Sequence, residues 1–453
     1  VGSEMCIRDR YIIYLITAVL FTACNSDEHD DEYTIPAGNG ALIVELRLEA
    51  LASSIGDIHL FVFESGGKLK DRIYPESPQA VASRYFNFPA GYYTVIAVAN
   101  AGKDFMPDAT DITLPGFVAK LTAEAGDYPD MISGMAQANL SEGEVKRISI
   151  VLKDGATGIS LSTLRLILAL PSPHLPEYSP PRSLKTSGTT YALRCVIEAC
   201  RNGSDEILLR HESLPVQSND GSERYIVELA LDAGTHNIRI WTDYVPEGTT
   251  ADHHYIAAGG LKTVTINTDP YRANTDSRNA FYAHLSPITL TNEIQEETVT
   301  MERPLAKYRL IATDVEHYRQ LVANNNYPPL DELTATILYE GFVPSSFNVT
   351  TGSPNDAITG LSYGSELPMS AAGAEQMQVG SDWVLVNGSE TFVNVTVRIA
   401  DKQGNIVSQI SGVRINYHRG YLTTVSGQFL TAGKTSGGIH IDTDWEDDII
   451  IEF

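Results

Sequence analysis

Phe88-Pro89-Ala90-Gly91-Tyr92-Tyr93-Thr94-Val95-Ile96-Ala97 sets a tight Ala-Gly turn before an apolar run rich in β-branched and aromatic residues. Glycine tolerates the backbone angles of such a turn, and the residues behind it favour a pleated strand. The arrangement returns as Leu231-Asp232-Ala233-Gly234-Thr235-His236-Asn237-Ile238-Arg239-Ile240. A second pair of matching stretches, Ile150 to Ala156 and Val299 to Ala306, has nearly the same offset. Two concordant offsets of that length are too large for a solenoid repeat and predict duplicated modules.

Outward from these repeats the pattern stays that of strands. Leu42, Val44, Leu46 and Leu48 alternate with Ile43, Glu45, Arg47 and Glu49, as in a strand with one buried face. Ile58 to Phe63 runs into the turn Glu64-Ser65-Gly66-Gly67-Lys68, and Tyr85 to Asn100 predicts a hairpin about Ala90-Gly91. Further strands are expected at Thr334 to Tyr339, Thr391 to Ile399, Ile406 to Ile415 and Tyr421 to Leu430. Ile449 to Phe453 is expected as an edge strand of its own domain. Helical periodicity is scarce, its best instance being Asp314 to Asn324 with Asp314 as N-cap. The fold class expected is all-β: tandem β-sandwich domains of transthyretin/Ig-like type with few short helices. The units run 41–155, 156–302 and 303–453, and Pro171 to Pro181 forms an irregular excursion within the second.

The N-terminus carries a different signal. An apolar run from Tyr11 to Phe21 closes as Leu20-Phe21-Thr22-Ala23-Cys24, followed at once by the acidic stretch Asn25 to Glu32. The run is too short to span a bilayer, which takes roughly 20 residues, and it has the length and small-residue ending of a cleaved signal. Residues 1–10 resemble an adaptor read-through prefix of metagenome-derived chains and are set aside, leaving 1–23 as signal peptide and 24–40 as an acidic tether.

Composition narrows the partners. A net charge of −25 over 453 residues argues against nucleic acid, which calls for a concentrated basic surface. With Cys24 in the leader motif and Cys6 in the prefix, only Cys195 and Cys200 remain. Five positions apart on one strand, they point to opposite faces and are expected as packed small hydrophobes.

Catalytic and metal chemistry is weakly signalled. Asp252-His253-His254, near Asp243, could be read as a metal cluster, but adjacent histidines on a strand diverge, and a solvated loop is the favoured reading. Asp442-Thr443-Asp444 with Glu446, Asp447 and Asp448 lacks the glycine and spacing of a calcium loop and reads as a solvated acidic stretch. No nucleophile elbow, phosphate loop or dinucleotide fingerprint is present, so no catalytic residue, metal or cofactor is expected. The 22 tyrosines with Trp241, Trp383 and Trp445 keep open a surface glycan-binding lipoprotein of a polysaccharide-uptake system. The tyrosines are otherwise expected at sandwich edges, ring buried and hydroxyl wet.

The leader resembles a bacterial lipobox, which implies cleavage between Ala23 and Cys24, lipidation of Cys24 and attachment to the outer membrane. Together with Ile58 to Phe63, Phe88 to Val95 and Met131-Ile132-Ser133-Gly134, the first unit resembles type V fimbrial proteins of the Bacteroidota. Arg419-Gly420-Tyr421 to Thr431 resembles the last strand pair of fimbrillin-like proteins. The middle stretch, with Arg194-Cys195, Ile240-Trp241-Thr242-Asp243-Tyr244 and Ser277 to Phe281, resembles an uncharacterised lipoprotein domain of the same bacteria. The resemblance implies a surface-exposed, non-catalytic anchor, accessory or adhesin component. Its partners would be the outer membrane through its lipid, and fimbrial subunits or surface ligands through protein contacts.

Overall fold

The computed structural model describes residues 33–452 apart from 51–53, 76, 106–111, 172–183, 187–188, 219–223, 292–293, 325–326, 368–374 and 433–448. Ala23, Cys24 and most of the tether lie outside the described residues, as do Ser172 to Pro181, Trp445 and the acidic stretch Asp442 to Asp448.

The first set of strands comprises β1 (Asn39–Leu48), β2 (Ile58–Glu64), β3 (Leu69–Ile73), β4 (Phe86–Pro89), β5 (Gly91–Ala99), β6 (Ile132–Leu140) and β7 (Val145–Asp154). They pair in the order β3-β2-β5-β6-β7-β1-β4, with β6 and β7 joined only at Ile132↔Asp154 and Ser133↔Lys153. β1 and β7 are parallel from Ala41↔Val145 to Leu48↔Leu152. Between the two halves lie Leu42, Val44, Ile148 and Ile150 from one and Leu60, Val62, Val95 and Ala97 from the other.

The expected hairpin is instead a corner. β4 pairs with β1, while β5 pairs with β2 and β6. Ala90 alone carries the chain from one sheet to the other, its N–H donating to Gly38 O at 3.0 Å. Phe86 and Phe88 before the corner and Tyr93 and Val95 after it enter one core, and strands on facing sheets bury both sets against each other. A helix the sequence reading did not anticipate, α1 (Leu114–Glu124), covers the outer side of β2 and β5. Leu114, Phe117 and Leu121 pack there with Phe61, Phe63, Ile96 and Val98. Pro115 and Gly116 disguise it, yet proline fits a first helical turn, and Thr113 Oγ1 accepts from Gly116 N at 3.4 Å.

The second set holds β8 (Leu161–Ala169), β9 (Leu184–Thr186), β10 (Thr189–Arg201), β11 (Ile207–Ser213), β12 (Val216–Gln217), β13 (Arg224–Asp232) and β14 (Gly234–Pro246). After the short strands β15 (Tyr255–Ile256) and β16 (Val264–Ile266) it ends with β17 (Ala280–Leu290) and β18 (Ile294–Thr300). The third begins with β19 (Leu305–Ala312), α2 (Val315–Ala323), β20 (Leu333–Glu340), β21 (Phe342–Asn348), β22 (Ser353–Thr359) and β23 (Ser362–Glu366). It closes with β24 (Met377–Leu385), β25 (Glu390–Asp401), β26 (Ile406–His418), β27 (Tyr421–Gly427) and β28 (Ile449–Glu452).

One plan recurs in all three sets. The first strand lies between an antiparallel neighbour and a parallel last strand: β4-β1-β7, β13-β8-β18 and β24-β19-β27. The opposite layers are β3-β2-β5-β6, β11-β10-β14-β17 and β23-β20-β25-β26. Ala90-Gly91 and Ala233-Gly234 occupy the same sheet-to-sheet corner, β4 to β5 and β13 to β14. The fold is therefore all-β, built on a repeated sandwich plan.

The second and third sets are also sewn together. β15-β16-β21-β22 is a sheet of its own, with β16 pairing β21 at Val264↔Phe347 and Thr265↔Ser346. The ribbon of β20–β21 against β22–β23 bends at Gly341 (φ 91°) and Gly360 (φ 74°) to reach it. Trp241, Tyr255 and Val264 thus share one core with Tyr308, Phe347 and Trp383. The expected helix forms at α2 with Asp314 in the N-cap position, but its carboxylate does not cap it. Asp314 Oδ2 instead accepts from Leu430 N at 3.0 Å, Thr431 N at 2.8 Å and Thr431 Oγ1 at 2.8 Å. β28 pairs with β27, an edge position in its own set.

Candidate functional site

A group of charged side chains of the second and third sets is interior. Arg194 on β10 meets Asp243 on β14 through two bonds, Nε to Oδ1 at 2.8 Å and Nη2 to Oδ2 at 2.7 Å. Its Nη1 donates to Asp252 Oδ1 at 2.7 Å and Thr250 O at 2.9 Å, fastening the loop after β14. Burial opposes the charge on Arg194, but the bonds and field of Asp243 and Asp252 outweigh it and raise its pKa. Glu198, fully buried, accepts from Arg210 Nη1 at 2.7 Å and Leu261 N at 3.0 Å and pairs with Arg239 at 3.4 Å. Arg278 pairs with Asp382 at 3.1 Å, and the Tyr339 hydroxyl donates to the same carboxylate at 2.7 Å.

The segment expected as a solvated loop at Asp252-His253-His254 is built into this interior. The two histidines do not diverge as expected: their rings meet edge to face with centroids 4.4 Å apart beside Tyr191, His253 facing the Tyr191 hydroxyl and His254 Nε2 lying 2.7 Å from Ser277 Oγ. That Ser–His contact is enclosed in the interior. Ser277 is wholly buried, and burial followed by the fields of Arg278, His253 and Arg272 lowers His254 to about 2, leaving it no basicity at neutral pH. Among the described residues no group of His, Cys, Asp and Glu is placed to hold a metal.

His254 has a thermodynamic consequence. The unfolded chain takes up its proton below about 6.5, whereas the folded chain resists until about 2. Its contribution is complete above pH 6.5 and falls by about 1.4 kcal/mol per unit as pH drops below that. Between pH 6.5 and 4.5 denaturant titrations should show a loss of stability that is smaller by roughly 2–3 kcal/mol in His254→Gln than in the parent. Parallel losses in both proteins would refute it.

Several of the aromatic residues sit elsewhere than expected. Trp241 and Trp383 are core residues and offer no stacking face. Tyr308, Tyr339 and Tyr363 bond to one another through their hydroxyls at 2.9 and 3.0 Å inside the third set, rather than wetting them at an edge. Cys195 and Cys200 are free and buried, as expected of packed hydrophobes.

What lies open is a backbone edge. An open cleft of about 310 Å³ separates β17 from β18, lined by Tyr282, His284, Leu285, Thr298, Thr300 and the β21–β22 turn. Tyr282 and Glu302 exchange both backbone hydrogen bonds at 2.9 Å, and there the contact ends. A register shift opposite His236 and Ile238 bends β17 away. Met301 N donates to Ala169 O, toward β8, so by strand alternation the N–H and C=O of Thr298 and Thr300 point into the cleft. Arg419 closes one end, its Nη2 donating to Gly352 O at 3.0 Å and its Nη1 to the Tyr282 hydroxyl at 3.3 Å.

These features define a multi-unit all-β protein with buried ion pairs and an open strand edge at β18. The chain belongs to a family of unknown function, DUF6562, which matches residues 158–453 and so takes in the second and third sets with their shared sheet. None of the curated proteins matches it. Among solved structures it is similar to the fimbrial anchor protein Mfa2 from Porphyromonas gingivalis, at 11% identity over 58% of this chain and 90% of that one, with a TM-score of 0.34. It is also similar to the tip fimbrial protein Mfa3 from the same organism, at 10% identity over 65% and 100%, with a TM-score of 0.33.

Proposed function

We propose that this chain is a non-catalytic lipoprotein of the outer-membrane surface. It serves as a fimbria-like anchor or accessory, or as an adhesin component, through protein–protein contacts. The observation that carries the reading is Leu20-Phe21-Thr22-Ala23-Cys24 with an acidic run behind it. Cys24 is the lipidated residue and the first of the mature chain, cut from Ala23. Within the tether, the ring of Tyr33 stacks on Tyr85 with centroids 3.8 Å apart. Units 41–155, 156–302 and 303–453 then extend the body away from its attachment.

Cys24→Ala tests this directly. In a host that processes the leader, the parent protein should sediment with outer membranes and the variant should move to the soluble fraction. A variant that stays with the membranes would rule out the lipid anchor.

A further inference from the structure

We propose that the cleft between β17 and β18 is a binding site for the terminal sugar of a neutral saccharide. This goes beyond the protein-contact reading given above and does not depend on it.

The cleft is sized and closed for a short ligand. Its volume of about 310 Å³ falls at the lower end of small-molecule sites, roughly 300–1,000 Å³. The Tyr282–Glu302 bridge and Arg419 shut one end, and the β21–β22 turn flanks it with Thr350, Thr351 and Gly352. A ligand enters such a space end-on, so a polymer would present only its last unit.

The lining suits hydroxyl groups. Along one wall the main chain of Thr298 and Thr300 offers N–H donors and C=O acceptors in alternation. Glu302 is exposed; its Oε2 accepts from the Tyr282 hydroxyl at 2.8 Å, and among the described residues nothing bonds Oε1. His284 gives a ring N–H to the Thr350 carbonyl, while burial and then the field of Arg239 hold it below its ordinary pKa. It is neutral at neutral pH, which makes its second ring nitrogen an acceptor. Donors and acceptors interleaved in this way match groups that both give and take a hydrogen bond, as each sugar hydroxyl does. Leu285, only partly buried, adds an apolar contact for the C–H face of a ring.

Charge disfavours an acidic ligand. Arg419 commits its guanidinium to Gly352 O at 3.0 Å, Val386 O at 2.9 Å and the Tyr282 hydroxyl at 3.3 Å. Arg239, bonded to Thr350 Oγ1, is paired with Glu198 and Asp205. The open charge is that of Glu302, in a chain of net charge −25, so a carboxylate on the ligand would be repelled.

The probes are the methyl glycosides of glucose, galactose, mannose and N-acetylglucosamine, with methyl glucuronoside as the acidic counterpart. Each is titrated into the purified full-length protein and followed by saturation-transfer NMR. At least one neutral glycoside should bind saturably, and the glucuronoside should not. Glu302→Gln keeps an acceptor for Tyr282 but removes the charge. It should weaken neutral binding by about tenfold or more and admit the glucuronoside. Thr351→Trp, at an exposed position of the turn, should fill the cleft and abolish binding with the far-ultraviolet circular dichroism unchanged. Binding undiminished in both variants would put the sugar elsewhere and overturn the proposal. A parent protein that binds none of the neutral glycosides would overturn it too, as would capture of blocked tetra-alanine in their place, which would mark a peptide site.

Discussion

Arg194→Met should destabilise the second and third sets by about 3–5 kcal/mol, the cost of removing one partner from a buried ion pair. Asp243 is fully buried and takes both of its guanidinium bonds from Arg194. Without them its carboxylate must ionise in an apolar interior or fold protonated. The second contact, to Asp252 and Thr250, would go as well, freeing the loop that carries His253, His254 and Tyr255. Chemical denaturation followed by tryptophan fluorescence suits the measurement, because Trp241 lies in the core spanning both sets. The double variant Arg194→Met/Asp243→Leu should recover most of the loss, since apolar replacement of a whole buried pair is often neutral or better. A single variant within about 1 kcal/mol of the parent would show the pair to be dispensable.

Asp382→Ala should produce a loss of comparable size, about 3–5 kcal/mol, from the third set. Asp382 is fully buried, and it is the counter-ion of Arg278 and the acceptor for the hydroxyls of Tyr271 and Tyr339. Burial drives its pKa up, while the charge of Arg278 and the tyrosine bonds hold it down. Alanine strands a buried guanidinium and two hydroxyls at once, each with its own desolvation cost. Asp382→Asn keeps an acceptor for the hydroxyls and should lose less. Near-ultraviolet circular dichroism should report the change through the tyrosine cluster. Equal losses for alanine and asparagine would place the whole effect on the charge and contradict the hydroxyl contribution.

The sequence disclosed the strand-rich class through period-two runs such as Leu42 to Leu48, and the recurrence at Gly91 and Gly234 through local composition. It hid how those strands are connected. A single residue between β4 and β5 reads as a hairpin turn, because pairing partners are chosen by burial across the whole unit and not by the turn. α1 was hidden by Pro115 and Gly116, which are poor in a helix interior but acceptable at its start. The ion pairs left a trace that can be read in retrospect. Arg194 and Glu198 interrupt Tyr191 to Cys200, a strand otherwise apolar on both faces, and a charge in such a place needs a buried partner. The identity of that partner, Asp243 for Arg194, depends on the β10–β14 register, which no local pattern specifies. Likewise the cleft at β18 is a property of two strands diverging after Tyr282 and Glu302, invisible in either strand alone.

The parallel pairing of first and last strand in the first two sets also determines how the molecule carries load. In a parallel pair the start of one strand and the end of the other lie at opposite ends of the ladder. Tension entering a unit at the head of β1 and leaving from the tail of β7 therefore pulls the two strands lengthwise past each other. The bonds from Ala41↔Val145 to Leu48↔Leu152 are then stressed together in shear instead of being unzipped singly. β8 with β18 repeats the geometry in series, so a chain held at one end and pulled from the other meets the same mechanical clamp twice. In the third set β19 and β27 pair likewise, but β28 folds back antiparallel on β27 and takes the load first.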